Sequence, residues 1–243
     1  MSEHKEKGMQ FLRENLEAMG KSLTESQEQK FIRYYELLLE WNARMNLTAI
    51  TDFDEVVCKH FLDSLLLFRM PEAMLSGTVI DIGTGAGFPG LPLAIMCPGL
   101  QITLLDSLQK RIGFLDACVQ ELGLSGVRTI HGRAEEAARQ TDLREQFDMA
   151  VSRAVAALPV LCEYCLPFVK PGGQFAAYKS QKAEDEIREA ARAIQILGGR
   201  KITHTGMQLP GTDAERTIIL IRKEKPTPRA YPRKAGTPGK KPL

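Results

Sequence analysis

Between Thr78 and Gly90 the chain runs Thr-Val-Ile-Asp-Ile-Gly-Thr-Gly-Ala-Gly-Phe-Pro-Gly. A β-rich apolar run breaks into a glycine series and then into a helical stretch. Few folds accommodate that order. A strand passing straight into a glycine turn and a helix opens a doubly wound α/β sheet, and its carboxyl end lies at the topological switch point where ligands bind. Glycines there permit positive φ and let a ligand approach the backbone closely. Two chemistries use such a turn. Gly85-x-Gly87-x-x-Gly90 formally matches the dinucleotide fingerprint, which seats a pyrophosphate on a helix N-terminus. Asp81-x-Gly83-x-Gly85-x-Gly87 matches better an S-adenosylmethionine loop. That ligand has no phosphate and needs close backbone approach with a carboxylate, here Asp81, near its cationic amino-acid end.

The remaining pattern agrees with an α/β sheet. Strands are predicted at Thr78–Ile82, Ile102–Asp106, Arg128–His131, Asp148–Val151 and Gln174–Tyr178, with helical stretches between them. Such alternation predicts parallel strands covered by helices on both faces. Two last strands, Lys201–Leu209 and Arg216–Arg222, have so short a connection that they must pair antiparallel. The expected fold is therefore a Rossmann-like class I methyltransferase: seven mostly parallel strands with an antiparallel last strand. Residues 1–76 read as a helical extension of three helices, the second opened by a capping box from Thr24 to Gln27. The third is expected to run unbroken from near Asp52 to just before Pro71. Residues 77–224 then form the methyltransferase domain. Residues 225–243 form a basic tail with five prolines and almost no apolar residues, expected to be extended or disordered when alone.

Chemistry-bearing residues fall at strand ends. Asp106 closes the second strand 23 residues after Gly83, where an acid can accept hydrogen bonds from both ribose hydroxyls. The third strand ends in His131-Gly132-Arg133-Ala134-Glu135, which suits either an adenine pocket or an acid-rich helix start. The fourth ends in Ser152-Arg153-Ala154, the position that faces reacting atoms. No Asn-Pro-Pro-aromatic grip for an exocyclic amine follows it, and no Pro-Cys nucleophile. The target atom should then already be nucleophilic. Guanine N7 has such a lone pair, so alignment and electrostatics would suffice, and no residue is assigned as a catalytic base.

Net charge is +2, yet Arg222, Lys223, Lys225, Arg229, Arg233, Lys234, Lys240 and Lys241 crowd the last segment against one acid, Glu224. That asymmetry suits a polyanionic partner. The five cysteines sit among apolar neighbours; neither a disulfide framework nor a metal site is expected, Cys162-x-x-Cys165 having no second pair. No apolar run is long enough for a membrane span, and the opening residues are too polar for a secretory signal, so a cytoplasmic protein is expected. A methyltransferase for a small molecule or a protein explains the loop but not the tail. A nicotinamide-linked oxidoreductase fits neither Asp81 nor the terminal hairpin, and a non-enzymatic RNA-binding module leaves the cofactor loop without a use.

Several segments together resemble the glucose-inhibited-division-B family of 16S ribosomal RNA guanine-N7 methyltransferases. They are Trp41-Asn42 with Met45-Asn46-Leu47-Thr48, His60-Phe61-Leu62-Asp63-Ser64, Asp81 to Gly90, Asp106-Ser107 with Lys110-Arg111, Arg133-Ala134-Glu135, Ser152-Arg153-Ala154-Val155, and Tyr231-Pro232-Arg233-Lys234 with Gly236-Thr237-Pro238. The resemblance implies that Gly83, Phe88, Ala134, Glu135, Arg153 and Asp106 contact S-adenosylmethionine. It implies a target guanine near the decoding region of 16S ribosomal RNA or the small subunit, and a monomeric enzyme is expected. His60, Asp63, Arg133, Lys179, Arg233 and Lys234 are the candidate RNA contacts, His60 and Asp63 serving equally well as packing residues. One departure is Lys179-Ser180, where the family usually carries Lys-Gly. A positive φ at Ser180 would strain the turn.

Overall fold

The chain opens with two helices, α1 (Glu3–Glu17) and α2 (Glu25–Met45), in a computed structural model that describes residues 3–180 and 183–243. The capping box forms as predicted. Thr24 Oγ1 accepts from Gln27 N–H, and the Gln27 side chain accepts from Thr24 N–H at 2.9 Å. The expected continuous third helix is instead broken into four pieces: α3 (Phe53–Val56), a π-helical turn (Val57–Leu62), α4 (Asp63–Leu65) and a 3₁₀ turn (Leu66–Arg69). Apolar periodicity marks the buried face of such a segment but does not register a change of helical pitch.

Strands β1 (Thr78–Ile82), β2 (Gln101–Asp106), β3 (Val127–His131), β4 (Phe147–Arg153), β5 (Val169–Lys179), β6 (Gly199–Gln208) and β7 (Glu215–Lys223) form one sheet in the order β3-β2-β1-β4-β5-β7-β6. The first five run parallel, and β7 lies antiparallel between β5 and β6. The crossovers carry α5 (Gly90–Met96), α6 (Gln109–Glu121), α7 (Ala134–Ala137), α8 (Leu158–Cys165) and α9 (Ala183–Ile196). Strand order reverses between β1 and β4, and the carboxyl ends of β1, β2 and β4 open together there.

Each strand feeds two cores, because successive side chains point to opposite faces. Val79, Met149, Ile218 and Leu220 pack with α1, α2, α5 and α6, whereas Ile80, Ala150, Ile219 and Ile221 pack with α8 and α9. Met9, Leu12 and Leu16 of α1 are fully buried in the first of these cores. The boundary at residue 77 therefore separates helical from strand-bearing sequence without separating two cores. Cys118, Cys162 and Cys165 are fully buried, and burial pushes all three thiols up.

The tail departs from the sequence expectation. It packs along the α7–α8 side and ends in a short helix, α10 (Thr237–Lys240). Lys223 is fully buried, pairs with Glu145 at 3.1 Å and donates to Leu166 O, Val169 O and Thr227 Oγ1. Burial lowers its pKa to about 8. Arg144 then donates to Thr227 O at 2.8 Å and Tyr231 O at 2.9 Å. Composition offered little apolar surface for this segment, but its backbone carbonyls are caught by cations from distant loops. Prolines already restrict the unfolded chain, so ordering it costs less entropy.

Candidate active site

Two clefts meet at the carboxyl end of β4. The first, about 560 Å³, is lined by Gly83, Asp106, Arg133, Ala134 and Glu135, together with Val155, Tyr164, Gly239 and Pro242. Gly83 has φ +68°, and a Cβ there would stand 2.7 Å from Val155 Cγ2, so both conformation and space demand glycine. Asp106 closes β2 and is 2 % exposed. Its Oδ2 accepts from Gly85 N–H at 2.9 Å and from Arg111 at 3.2 Å, and its Oδ1 accepts from Leu108 N–H at 2.9 Å. The carboxylate thus fixes the glycine turn while facing the cleft. Glu135 is equally buried and accepts from Gly236 N–H at 2.8 Å.

Asp81 lies behind this wall. Its Oδ2 accepts from Thr84 Oγ1 at 2.6 Å and Gly90 N–H at 2.8 Å, which anchors both ends of the glycine turn. Its Oδ1 is buried and has no partner among the described residues. Burial raises its pKa to about 7, against the lowering effect of those two hydrogen bonds. An acceptor left unsatisfied in this way fits a nearby cation. The cleft volume, the strand-end carboxylates and this orphaned oxygen together fit a cationic nucleoside ligand such as S-adenosylmethionine. Gly87 is buried behind the turn, and neither Gly85 nor Gly87 lines the cleft.

The second cleft, about 450 Å³, is lined by Lys59, His60, Asp63, Arg153, Tyr178, Lys179, Ser180 and Arg216. Arg153, expected beside the ligand of the first cleft, lines this one. It pairs with Asp63 Oδ2 at 2.9 Å, while Arg216 Nε reaches Oδ1 at 2.9 Å. Both oxygens of the buried Asp63 are therefore held in ion pairs. The Arg153 guanidinium also lies 5.0 Å from the Phe88 ring centroid, and the His60 ring stacks on Phe88 at 4.6 Å, beside Arg153. Phe88, likewise expected at the ligand, is a buried aromatic bracket for these two side chains. His60 is held neutral. Burial, then the Arg153 charge, lowers its pKa to about 4. Arg153 can only donate, so Nδ1 of His60 acts as acceptor at 3.5 Å, which leaves Nε2–H to face Thr48 Oγ1 at 2.8 Å. The π-helical turn is what brings His60 and the carbonyl of Lys59, at 3.3 Å, to Arg153.

A strained backbone separates the clefts. Ala154 has φ +58°, a conformation rare for any side chain and often found at ligand sites. It turns Val155 into the first cleft and leaves Arg153 in the second. Ser152 Oγ donates to Ile82 O at 2.8 Å and so locks the ends of β4 and β1 together. Among the described residues the non-glycine positions with positive φ are Asn46, Glu145 and Ala154, so Ser180 does not carry the positive φ that would have strained it. Lys179 pairs with Glu186 at 2.7 Å and donates to Ala156 O at 3.0 Å.

Among the tail candidates, Lys234 is exposed, but Arg233 is bound to Glu163, with its backbone N–H and Nη2 each 2.6 Å from a carboxylate oxygen. Arg233 is therefore a clamp and not a free cation. Sequence reading missed Glu163, which is fully buried on α8, and Arg216. Arg216 had one available signal. Antiparallel pairing of β5 with β7 sets Thr217 opposite Lys179, and therefore Arg216 beside the end of that strand.

A family model described as GidB, rRNA small subunit methyltransferase G, matches residues 27–217. A ribosomal RNA small subunit methyltransferase G from Lachnoclostridium phytofermentans is 50% identical over 230 residues, spanning 95% of either chain. Its namesake from Alkaliphilus metalliredigens is 49% identical over 232 residues, covering 96% of this chain and 97% of that protein. Among solved structures, the YcgJ protein of Bacillus subtilis superposes with a TM-score of 0.52 at 15% identity, over 68% of this chain and all of that one. Atu636, a predicted O-methyltransferase from Agrobacterium tumefaciens, gives the same score at 18% identity over 68% of this chain and 80% of that one. At such identities these two speak for the fold alone.

Proposed function

Since the chain belongs to the rRNA small subunit methyltransferase G family, we infer that it methylates N7 of a guanine in 16S ribosomal RNA, with S-adenosylmethionine as donor. The donor supplies a methyl group made electrophilic by its sulfonium. The first cleft holds it: Gly83 allows close approach, Asp106 and Glu135 accept from its nucleoside hydroxyl and amine groups, and Asp81 holds the glycine turn from behind, its charge favouring a cationic ligand in front. The second cleft receives the base. Its rim carries Lys59, Lys179 and Arg216, which suits the RNA backbone, and Arg133 at the first cleft and the exposed Lys234 are further cations for it.

The observation that carries the N7 reading is the condition of the second cleft's acids and bases. Both oxygens of Asp63 are in ion pairs, and His60 is a weak, fully hydrogen-bonded base. Nothing there is poised to remove a proton, and N7 has none to remove. Rate then depends on holding the guanine lone pair in line with the donor methyl group and on excluding water. The ribosomal substrate implies work in the cytoplasm.

Nucleoside mass spectrometry of small-subunit RNA treated with the protein should find 7-methylguanosine. Only N6-methyladenosine or 5-methylcytidine would overturn the assignment. With the chemical step isolated from product release, its rate should stay flat between about pH 6 and 9, because no side chain must lose a proton first.

A further inference from the structure

We propose that the C-terminal segment from Gly236 to Pro242 forms a wall of the donor cleft and contributes directly to holding the nucleoside ligand. This rests on the donor reading of that cleft. Gly239 and Pro242 line it opposite residues from the ends of β1 and β2. The tail also sets the conformation of a buried wall residue, since Gly236 N–H donates to Glu135 Oε1 at 2.8 Å. Gly236 sits at φ +79° with nothing within 4 Å of a hypothetical Cβ, so glycine is required there for the turn and not for space. Pro238 is buried just beyond it.

The segment is delivered by anchors that do not depend on it. Arg233 is clamped to Glu163 of α8, and the Arg144 bonds to Thr227 O and Tyr231 O lie further upstream. A chain ending at Lys234 keeps all of these and loses the wall, together with α10 and the Leu243 contact on the second core. A ligand resting on that wall would lose buried contact, and Glu135 would lose the donor that orients it. The cofactor and its demethylated product share the nucleoside, so either must feel the change.

S-adenosylhomocysteine is the probe. Titration calorimetry should give a dissociation constant weaker by about tenfold or more for the chain ending at Lys234 than for the full chain. The ligand-free proteins should melt within a few degrees of each other. Equal affinities, within about twofold, would overturn the proposal. A second readout uses only the full chain. Saturating S-adenosylhomocysteine should slow tryptic cleavage after Lys234 and Lys240, relative to cleavage after Lys21, by roughly fivefold or more. Unchanged relative rates would equally overturn it. A full chain that binds no S-adenosylhomocysteine would remove the donor assignment itself and this proposal with it, a result distinct from weakened binding on truncation.

Discussion

His60 shows how one side chain acquires a charge state from its surroundings. It lies between Phe88, Thr48 and the Arg153 guanidinium, and its folded pKa of about 4 stands well below the ordinary imidazole value of about 6.5. The folded protein therefore resists a proton that the unfolded chain accepts. Stability is full above the unfolded pKa and declines as pH falls from about 6.5 towards 4. Between pH 7.5 and pH 5 this residue alone should remove about 2 kcal/mol. Urea unfolding of the wild type and of His60→Gln at both pH values checks it. The wild type should lose more stability than the variant over that interval, and parallel losses would reject the buried-neutral assignment. Asp81 titrates in the opposite sense. Its raised pKa favours the protonated folded form at low pH, and that preference disappears as pH rises through about 7.

Among the elements, α1 tests whether the helical extension stands by itself. Its Met9, Leu12 and Leu16 are fully buried in a core shared with β1, β4 and β7. Leu12→Ala should cost about 2–5 kcal/mol, the range for emptying such a site. The loss should lower the midpoint of a single unfolding transition, because core and sheet melt together. A second, separate transition confined to helix signal would indicate an independent N-terminal unit. The π-helical turn at Val57–Leu62 matters at this scale too. It presents the Lys59 carbonyl and the His60 ring on one side, and both meet Arg153. The Ala154 turn divides the neighbouring clefts, so two short irregular pieces of backbone shape the site more than any regular element does.

For the molecule as a whole, charge and cofactor site come together through the tail. Lys234, Lys240 and Lys241 are exposed on a segment whose backbone is fastened beside the donor cleft. Cations there can meet RNA phosphates without reading bases, and each contact releases counterions. Replacing all three by alanine should weaken RNA binding and flatten its log–log salt dependence by up to about 2, at roughly 0.7 per contact on single strands. A salt series of binding measurements on the two proteins decides it. Equal slopes would exclude these lysines from the RNA interface.

Local patterns in the sequence determined the sheet, its glycine turn and the strand-end acids, because a period of two, a period near 3.6 and the demand for glycine are properties of neighbouring residues. The β1 run, Gly83, Asp106 and the Thr24 cap were all legible for that reason. Tertiary structure alone decided what each side chain faces. Arg153 lies in the second cleft and Val155 in the first because Ala154 reverses the chain after β4, while Phe88 is buried beside Arg153. Arg216 joins Asp63 across 153 residues of sequence through strand register. The tail reads as extended or disordered when alone because its composition offers little to bury, yet it is held by Arg144, Glu163 and Glu135, whose hydrogen bonds come from parts of the chain that only the fold brings near.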